Sequence, residues 1–525
     1  MKTTNIQRLP EIIKIITESG EVSDAKVSFE ERKDRLSVFL EANLDKVKFI
    51  AMRWKNFQDS PVKVLGDNWE RLQSNAGFYP LSCDRFLPWY FIITDGENTD
   101  ACGVMVRPNS FVSFECDCDG VSGWFDVRCG GNGVDLSGRK FHVADIVSRQ
   151  YKGVDSFSAL KSFCKVLCPD PILPKEPVYG GNNWYYAYGK SSYEEILDDA
   201  ALQAELAGDN ENRPFMVMDD GWQINSCAGP WLPNEKFGDM KKLADEIKKM
   251  GVKPGLWVRF LHNLDFEKEH PECLIKKDIG KDTFLDPSHP DVLKLIRDDI
   301  ERIKSWGYSL IKHDYTSYDI FNEFGYIYNG SVNEHEGWSF YDTKKTSAEI
   351  VLNLYKTIYE ACGEDMLIIG CNTFSHLSAG LLQINRIGDD TSGRNWDRTR
   401  AYGINSLAFR LPQHNAFYAI DADCAGFMDN KIPWELNSQW VDLLAKSGTP
   451  LFISCPNHLL DAEQIEFMKK AYAINSKLQD EAIPLDWEYN ITPGRWLISG
   501  EEKVYNWNTD NIPRLLHWCF NQPLY

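Results

Sequence analysis

The strongest constraint in this sequence is a long stretch, residues 178–475, in which short apolar segments alternate with longer helical ones. The helical segments repeat apolar residues every three or four positions, as in SYEEILDDAALQAELA and TSAEIVLNLYKTIYEAC. Such alternation is typical of β/α units on a parallel sheet, and eight units are enough to close a barrel. We therefore predict a central (β/α)8 barrel over residues 173–478, with strands in GGNNWYYAY, PFMVMDD, VKPGLWV, YSLIKHDY, MLIIGCN, INRIGDD, AFYAID and PLFISC.

The sequence on either side of this stretch predicts β-structure of another kind. Residues 20–172 hold short alternating segments such as KVSFEER and FVSFECDCDG, separated by Gly, Asn and Asp, as in antiparallel strands joined by turns. The proline-rich CPDPILPKEP, residues 168–177, excludes a regular helix or central strand and marks a boundary. We predict an N-terminal antiparallel β-sandwich over residues 1–172 and a small C-terminal β-domain over residues 479–525.

The formal charge of −20 argues against two classes of partner. A chain this acidic repels phosphate backbones and anionic lipid surfaces, so we expect neither nucleic acid nor a membrane as partner. No apolar run reaches the length of about 18 residues that a membrane helix needs. The first 20 residues lack the apolar run of an export signal, which favours a cytoplasmic protein. The oligomeric state is not predicted by any feature of the sequence.

The 14 cysteines are scattered, and several lie in apolar segments, which favours reduced buried thiols over a disulfide framework. Cys116 and Cys118 stand close together, but no Cys or His pair follows them at zinc spacing, so the edge of a strand is the favoured interpretation. We predict neither a metal nor any other cofactor.

Acidic residues gather where the predicted barrel strands end. In a (β/α)8 barrel the carboxyl ends of all strands meet at one mouth, where reactive side chains lie. A single carboxylate there often caps a helix, but four strand ends together are difficult to explain by capping. The residues concerned are Asp219 and Asp220 after the second strand, Asp314 after the fourth, Asp389 and Asp390 after the sixth, and Asp421 and Asp423 at the seventh.

Converging carboxylates without a metal motif or a phosphate-binding glycine loop favour cleavage of a glycosidic bond. That reaction needs two carboxyl groups beside the anomeric carbon, one to attack it or to activate water and one to protonate the leaving oxygen. The remaining carboxylates accept hydrogen bonds from sugar hydroxyls. The sequence therefore predicts a carbohydrate as the partner of this mouth.

Three motifs, YSLIKHDY, FMVMDDGWQ and NRIGDDTSGRNW, resemble those of glycoside hydrolase family 36 and its clan relatives, families 27 and 31. Their order and spacing cover most of the predicted barrel, and the flanking β-regions resemble the three-part layout of that family. The resemblance implies a retaining, exo-acting α-galactosidase that works by double displacement. Terminal α-linked galactose is the implied substrate.

The resemblance also implies roles at the fourth and sixth strands. Asp314 matches the nucleophile, and Lys312 two residues earlier is expected to bind a sugar hydroxyl and to help keep Asp314 charged. Asp390 follows Arg386 by four residues, as the acid/base does in the family, and Arg386 is expected near the 2-hydroxyl. Asp389 stays open as the alternative proton donor, because other clan members place that residue directly after a glycine.

The sugar-binding residues are assigned in the same way. The Asp219 and Asp220 pair resembles the one that binds the 4- and 6-hydroxyls, and a site built for the axial 4-hydroxyl discriminates against the epimer. Trp184 resembles the stacking tryptophan, with Tyr185 as the alternative, and Trp257 resembles an aromatic wall. Further residues assigned to the site or its surroundings are Cys371 and Asn372 near the 2-position, and Trp69, which we expect to reach in from the sandwich.

Several alternatives remain at this stage. IIGCNTFSHLSAG departs from the glycine-rich run usual at the fifth strand, so an N-acetylgalactosaminide or a pentopyranoside stays open as substrate. AIDADCAGF is closer to the α-glucosidase and α-xylosidase branch of the clan. An α-galactosyl transglycosylase is an alternative enzyme, and a non-catalytic sugar-binding protein is the alternative outside enzymology.

Overall fold

The computed structural model describes residues 1–20, 24–58, 60–72, 76–277, 283–325, 335–428 and 431–508. The first eleven strands are antiparallel and form two sheets, of five strands in the order β1-β4-β10-β9-β6 and of six in the order β2-β3-β11-β8-β7-β5. Their bounds are β1 Ile12–Thr17, β2 Lys26–Glu31, β3 Leu36–Glu41, β4 Val47–Lys55, β5 Lys63–Gly66, β6 Ser82–Pro88, β7 Tyr90–Thr94, β8 Asn98–Val104, β9 Phe111–Asp117, β10 Gly120–Asp126 and β11 Phe141–Lys152.

The two sheets pack face to face, which confirms the predicted sandwich. Phe91 of one sheet and Phe114 of the other are completely buried, and their ring centroids lie 5.4 Å apart. The sandwich starts earlier than its first predicted strand, at Ile12, and ends with a helix that the sequence analysis missed, α1 (Ser156–Leu167).

The next strands form one parallel sheet, in the order β20-β19-β18-β17-β16-β13-β12-β22-β21, with a separate hairpin of β14 and β15. The bounds are β12 Tyr179–Asn182, β13 Phe215–Met218, β14 Gln223–Asn225, β15 Ala228–Pro233, β16 Lys253–Val258, β17 Leu310–His313, β18 Leu367–Gly370, β19 Ile384–Arg386, β20 Ala419–Asp421, β21 Cys424–Gly426 and β22 Leu451–Ser454.

The seventh barrel strand is split in two, which the sequence analysis did not foresee. Its first half, β20, pairs with β19, and its second half, β21, pairs with β22. Asp423, between the halves, has the left-handed φ of 70° and breaks the strand. Because the two halves are continuous in the chain, the split strand closes the barrel, and the predicted (β/α)8 fold is confirmed.

Helices cover the outside of the barrel and the loops at its mouth. α6 begins with Pro290 at its first position and ends at the left-handed Gly307, and α8 begins with a capping box of Thr346 and Glu349, so local sequence sets these ends. The bounds are α2 Trp184–Ala187, α3 Tyr193–Ala207, α4 Met240–Lys249, α5 Leu264–Glu269, α6 Pro290–Trp306, α7 Thr316–Phe321, α8 Ser347–Cys362, α9 Ser375–Ser378, α10 Trp396–Arg398, α11 Asn405–Arg410, α12 Trp434–Lys446 and α13 Ala462–Asn475, with 3₁₀ turns at Pro271–Cys273 and Leu411–Gln413 and a π-helical turn at Thr399–Ile404.

A small antiparallel sheet follows the barrel, as predicted. It consists of β23 (Ile483–Pro484), β24 (Arg495–Ile498) and β25 (Glu501–Val504), and residues 509–525 of the predicted C-terminal region lie outside the described residues. Within the described ranges, every helix is too short or too polar to cross a bilayer.

Candidate active site

A cavity of about 200 Å³ opens at the carboxyl ends of the barrel strands. Its wall contains ten of the eleven residues to which the sequence assigned a catalytic or sugar-binding role, so residues from distant parts of the barrel sequence meet around one space. These ten are Trp184, Asp219, Asp220, Trp257, Lys312, Asp314, Cys371, Asn372, Asp389 and Asp390.

Asp314 follows β17 directly, and both of its carboxylate oxygens accept hydrogen bonds. Trp257 Nε1 donates to Oδ2 at 3.1 Å, and the backbone N–H of Tyr315 donates to Oδ1 at 2.7 Å. Tyr315 is in the left-handed region, with φ 66°, which turns the chain sharply after the strand. The carboxylate is therefore held in one orientation towards the cavity.

Lys312 has a different partner from the one expected. Its Nζ donates to Asp219 Oδ2 at 2.7 Å, and the side chains of Lys312 and Asp219 are only 12% and 4% exposed. Burial disfavours the charged ammonium, but Asp219 outweighs it, with a smaller contribution from Asp314, so the pKa of Lys312 is raised. The ion pair with Asp219 thus replaces the direct pairing with Asp314, while the positive charge still acts on Asp314.

Asp219 and Asp220 follow β13 and are fixed by neutral donors as well. Asn182 Nδ2 donates to Asp219 Oδ2 at 2.8 Å, and the backbone N–H of Cys227 donates to Asp220 Oδ1 at 2.9 Å. Burial raises the pKa of Asp220 above its ordinary value. Two adjacent carboxyl groups therefore face the cavity from one wall.

Asp389 and Asp390 lie on the loop after β19 and are surrounded by arginines. Arg71 contacts both, with Nη2 3.2 Å from Asp389 Oδ1 and Nη1 3.1 Å from Asp390 Oδ1. Arg398 lies 2.9 Å from Asp389, and Arg386 lies 3.2 Å from Asp390. Burial opposes ionisation of Asp390, but Arg71 and Arg386 outweigh it and hold its pKa well below the ordinary range.

Arg386, the eleventh of these residues, does not line the main cavity, and neither do Asp421 and Asp423. It lines a much smaller cavity inside the barrel and is 2% exposed. Its Nη2 lies 2.6 Å from Asp423 Oδ2, closer than it lies to Asp390. Direct contact with a sugar 2-hydroxyl, as expected from the sequence, does not fit this position, and the guanidinium instead supports the two carboxylates.

The aromatic wall combines both candidates from the first strand. Trp184 and Tyr185 both line the cavity, and the Tyr185 hydroxyl donates to Asp423 Oδ2 at 2.5 Å. These residues belong to the short helix α2 and not to the predicted strand, because Asn182 accepts from the backbone N–H of Trp184 at 2.9 Å and turns the chain.

Cys371 and Asn372 line the cavity at the end of β18. Asn372 Nδ2 donates to Glu70 Oε1 at 3.1 Å, and Cys371 Sγ lies 3.9 Å from Arg71 Nη1. Both partners come from the sandwich, so residues from outside the barrel take part in this wall.

Several wall residues were not predicted from the sequence, and the residue expected to reach in from the sandwich was the wrong one. Trp69, which we expected to reach the site, is 2% exposed and packs against Phe111 and His376 at the junction of sandwich and barrel. Arg71, two positions later, reaches the cavity instead. The other missed wall residues are Cys227, Tyr315, Phe324 and Arg398.

One group of possible metal ligands occurs among the described residues, and it lies outside the cavity wall. It consists of Cys273, His289 and Asp291. His289 Nδ1 already accepts from the Asp291 backbone N–H at 3.3 Å, as the cap of α6. Helix capping therefore accounts for this histidine, and the absence of a metal in the function of this protein stays a prediction.

Comparisons with known proteins support the fold. No family model matches the chain. An α-galactosidase from Thermus thermophilus, TtGalA, solved with p-nitrophenyl α-D-galactopyranoside, superposes with a TM-score of 0.61 at 16% identity, over 94% of this chain and 99% of that one. A doubly substituted form of the GH36 α-galactosidase AgaA from Geobacillus stearothermophilus, solved with stachyose, gives 0.59 at 14% identity, over 90% and 71% of the two chains. AgaB from the same organism gives 0.60 at 14%, over 88% and 74%.

These likenesses extend over most of the chain and show that it has the fold of GH36 α-galactosidases. At 14–17% identity they do not by themselves determine the reaction or the substrate.

Proposed function

We propose that this protein is a retaining exo-acting α-galactosidase that releases terminal α-linked galactose by double displacement. The observation that carries the proposal is a cavity lined both by Asp314, after the fourth barrel strand, and by Asp389 and Asp390, after the sixth. This reaction requires at least two carboxyl groups beside the glycosidic bond that is cleaved. The similar fold of TtGalA, solved with an aryl α-galactoside, supports the same choice of chemistry.

The size of the cavity favours a single sugar ring in the site. Its volume of about 200 Å³ lies below the roughly 300–1,000 Å³ that is usual for drug-sized ligands. A site of this size encloses the terminal residue and leaves the rest of a glycan outside, which is how an exo-acting enzyme selects chain ends.

In the proposed reaction Asp314 is the nucleophile. Its two carboxylate oxygens accept hydrogen bonds from Trp257 Nε1 and from the Tyr315 backbone N–H, which hold the carboxylate in a fixed orientation. A bond forms between Asp314 and the anomeric carbon as the bond from that carbon to the leaving oxygen breaks. The acid/base carboxyl group gives its proton to the leaving oxygen. Water then attacks the same carbon as the bond between that carbon and Asp314 breaks, and a proton of the water passes to the acid/base, with net retention.

Asp390 is the proposed acid/base, and Asp389 is the alternative. The side chain of Asp390 is 26% exposed against 14% for Asp389, so Asp390 is more accessible to a leaving group and to water. The arginines around Asp390 favour its ionised form, which is the form that accepts a proton from water in the second step. The first step requires the protonated form, so we expect the enzyme to work best in acidic solution.

The galactose assignment rests on Asp219 and Asp220. Two buried carboxyl groups suit adjacent hydroxyls of a sugar. An epimer whose hydroxyl points away leaves a carboxyl group without a partner and therefore binds weakly. Lys312 adds a donor beside them, 2.7 Å from Asp219. Together they provide acceptors and a donor for the 4- and 6-hydroxyls.

The direct test is turnover of aryl glycosides by the wild type, Asp314→Ala and Asp298→Ala. Asp298 is an exposed carboxylate on α6, so its removal controls for a general loss of negative charge. We expect Asp314→Ala to lose turnover by several orders of magnitude with an unchanged circular dichroism spectrum, and azide to restore turnover as the missing nucleophile. Near-normal turnover by this variant would exclude the role.

The substrate is tested by a panel of aryl glycosides: α-galactoside, α-N-acetylgalactosaminide, β-L-arabinopyranoside and α-glucoside. We expect the highest kcat/KM with the α-galactoside. Product analysis with and without an acceptor sugar separates hydrolysis from transglycosylation, and the absence of turnover across the panel would contradict the enzymatic proposal.

A further inference from the structure

A short segment of the sandwich, residues 67–72, is docked into the mouth of the barrel. The backbone N–H of Leu72 donates to Ile387 O at 2.7 Å, and the backbone N–H of Asp389 donates to Leu72 O at 2.8 Å. This pair of hydrogen bonds forms a parallel bridge between Leu72 and Gly388. The docked segment is thus joined by its backbone to the loop that carries Asp389 and Asp390.

Side chains fix the docked segment at further points. Glu70, which is completely buried, accepts from Asn372 Nδ2 at 3.1 Å and from the Ser317 hydroxyl. Arg410 pairs with Asp67 at 2.8 Å and donates to Glu70 O at 2.6 Å. The segment therefore contacts the loops after the fourth, fifth and sixth barrel strands at once, and its position relative to the cavity is well defined.

Arg71 lies at the end of this segment, with its guanidinium between two carboxylates. It is 9% exposed, Nη2 faces Asp389 and Nη1 faces Asp390, at 3.2 and 3.1 Å. The backbone bridge at the next residue, Leu72, fixes the backbone from which the Arg71 side chain extends. A cation held this rigidly orients both carboxylates more strongly than a mobile surface arginine does, because less side-chain entropy is lost on pairing.

We propose that Arg71, supplied by the sandwich, is a positioning residue that sets the orientation and charge of the acid/base carboxylate in the barrel. The inference rests on the proposed function and adds a part of the machinery that comes from outside the barrel. It assigns to the sandwich a direct influence on the chemical step.

The charges around Asp390 indicate the sign of this influence. Arg71 and Arg386 are in contact with it, Lys312 and Arg398 act from farther away, and burial opposes them. Asp389 and Asp423 compete for the same arginines, and the Tyr185 hydroxyl lies on the Arg386 side. Among the cations Arg71 has the largest effect on the pKa of Asp390. Removal of Arg71 therefore raises that pKa.

The consequence appears in the pH dependence of kcat/KM. A proton donor is active below its pKa, so a low pKa places the alkaline limb of the profile in acidic solution. An adjacent opposite charge lowers a carboxyl pKa by about 1–3 units. Loss of Arg71 should move the alkaline limb upward by a shift of that order, about tenfold in relative activity above the limb for each unit.

The test compares pH profiles of kcat/KM with the aryl α-galactoside for the wild type, Arg71→Met, Arg71→Gln and Arg71→Lys. Arg107→Met is the matched control, because Arg107 also joins the sandwich to the barrel, through Gly380 O at 3.3 Å, away from the cavity. We expect the alkaline limb to rise in Arg71→Met and Arg71→Gln, to return towards the wild type in Arg71→Lys, and to stay in place in Arg107→Met. A lower kcat/KM with an unmoved limb would indicate a merely structural residue and overturn the proposal.

A second measurement separates this inference from the proposed function. Carbon-13 NMR of aspartate-labelled protein, with the Asp390 carboxyl signal assigned through Asp390→Asn, follows its titration without substrate. We expect the midpoint to rise when Arg71 becomes Met or Gln, and equal midpoints in the wild type and both variants would overturn the inference. If the wild type cleaves no glycoside but the Asp390 midpoint is still higher in the Arg71 variants than in the wild type, only the proposed function is contradicted.

Discussion

Replacement of Lys312 by methionine is a sharp test of how the mouth is stabilised. Methionine keeps most of the length of the side chain and removes only the ammonium, so packing changes little. Asp219 then loses the donor at 2.7 Å and becomes a carboxylate that is 4% exposed and has no adjacent cation among the described residues. Asn182 Nδ2 at 2.8 Å and the Asp220 N–H at 3.0 Å continue to donate to it.

The expected cost follows from these contacts. Breaking a buried ion pair by removing one partner costs about 3–5 kcal/mol, because the remaining charge is left uncompensated. The two remaining donors place the expected loss for Lys312→Met near the lower end, at about 3 kcal/mol. The double variant Lys312→Met/Asp219→Asn removes both charges, so it should be more stable than Lys312→Met alone.

The assay is urea unfolding followed by tryptophan fluorescence, with equal slopes required before midpoints are converted to free energies. Lys294→Met is the control, since its pair with Asp298 at 2.5 Å is exposed on α6, and its midpoint should stay at the wild-type value. An unfolding midpoint of Lys312→Met equal to that of the wild type would refute the reasoning. So would a double variant whose loss of stability equals the sum of the losses caused by Lys312→Met and by Asp219→Asn separately.

Three further predictions follow from individual residues. Gly388→Ala should lower kcat strongly, because a Cβ there would lie 1.8 Å from Tyr402 O and displace the loop that carries Asp389 and Asp390, the proposed proton donors; an unchanged kcat at saturating substrate would contradict this prediction. Asp220→Asn should lower kcat/KM for the aryl α-galactoside by about 10- to 100-fold, since a hydrogen bond to a charged group contributes about 1.5–3 kcal/mol; an equal loss with the α-glucoside would argue against a role in discrimination. Burial raises the pKa of Asp199 to about 7, above the unfolded value of about 3.9, so the folded state holds a proton that the unfolded state has lost. Stability should therefore fall as pH rises between those values, and urea midpoints of Asp199→Asn should have a smaller slope over that window than the wild type.

The parts of the site that follow from local pattern were predictable. The spacing of apolar residues in strands and helices predicted the barrel. Because the strand ends of such a barrel meet at one mouth, Asp219, Asp314 and Asp390 were predicted to lie close together from the sequence alone. Their carboxylates line one cavity. Each of these inferences needs only the position of a residue within its own β/α unit.

The parts that depend on distant contacts were not predictable in this way. Arg71 contacts Asp390, which is 319 positions away in the sequence, and Lys312 pairs with Asp219, which is 93 positions away. The periodicity of a sequence does not indicate which side chains pair over such separations. The aromatic WYYA favours a strand by composition, yet β12 ends at Asn182, whose side chain accepts from the Trp184 N–H, and α2 begins at Trp184. The left-handed φ of Asp423, which splits the seventh strand, was not predicted either, because Asp tolerates this conformation but few Asp residues adopt it.

The docking of residues 67–72 also determines when during synthesis the mouth is completed. Domains generally fold as units, N-terminal first during synthesis, so we expect the sandwich to form before the sixth barrel strand has been made. The loop at Gly388 meets Leu72 only after most of the barrel has emerged, and it is then received by a surface that is already formed. The sandwich, which is synthesised first, can therefore serve as a docking surface for the loop that carries Asp389 and Asp390, and Arg71 joins these carboxylates only when that loop docks.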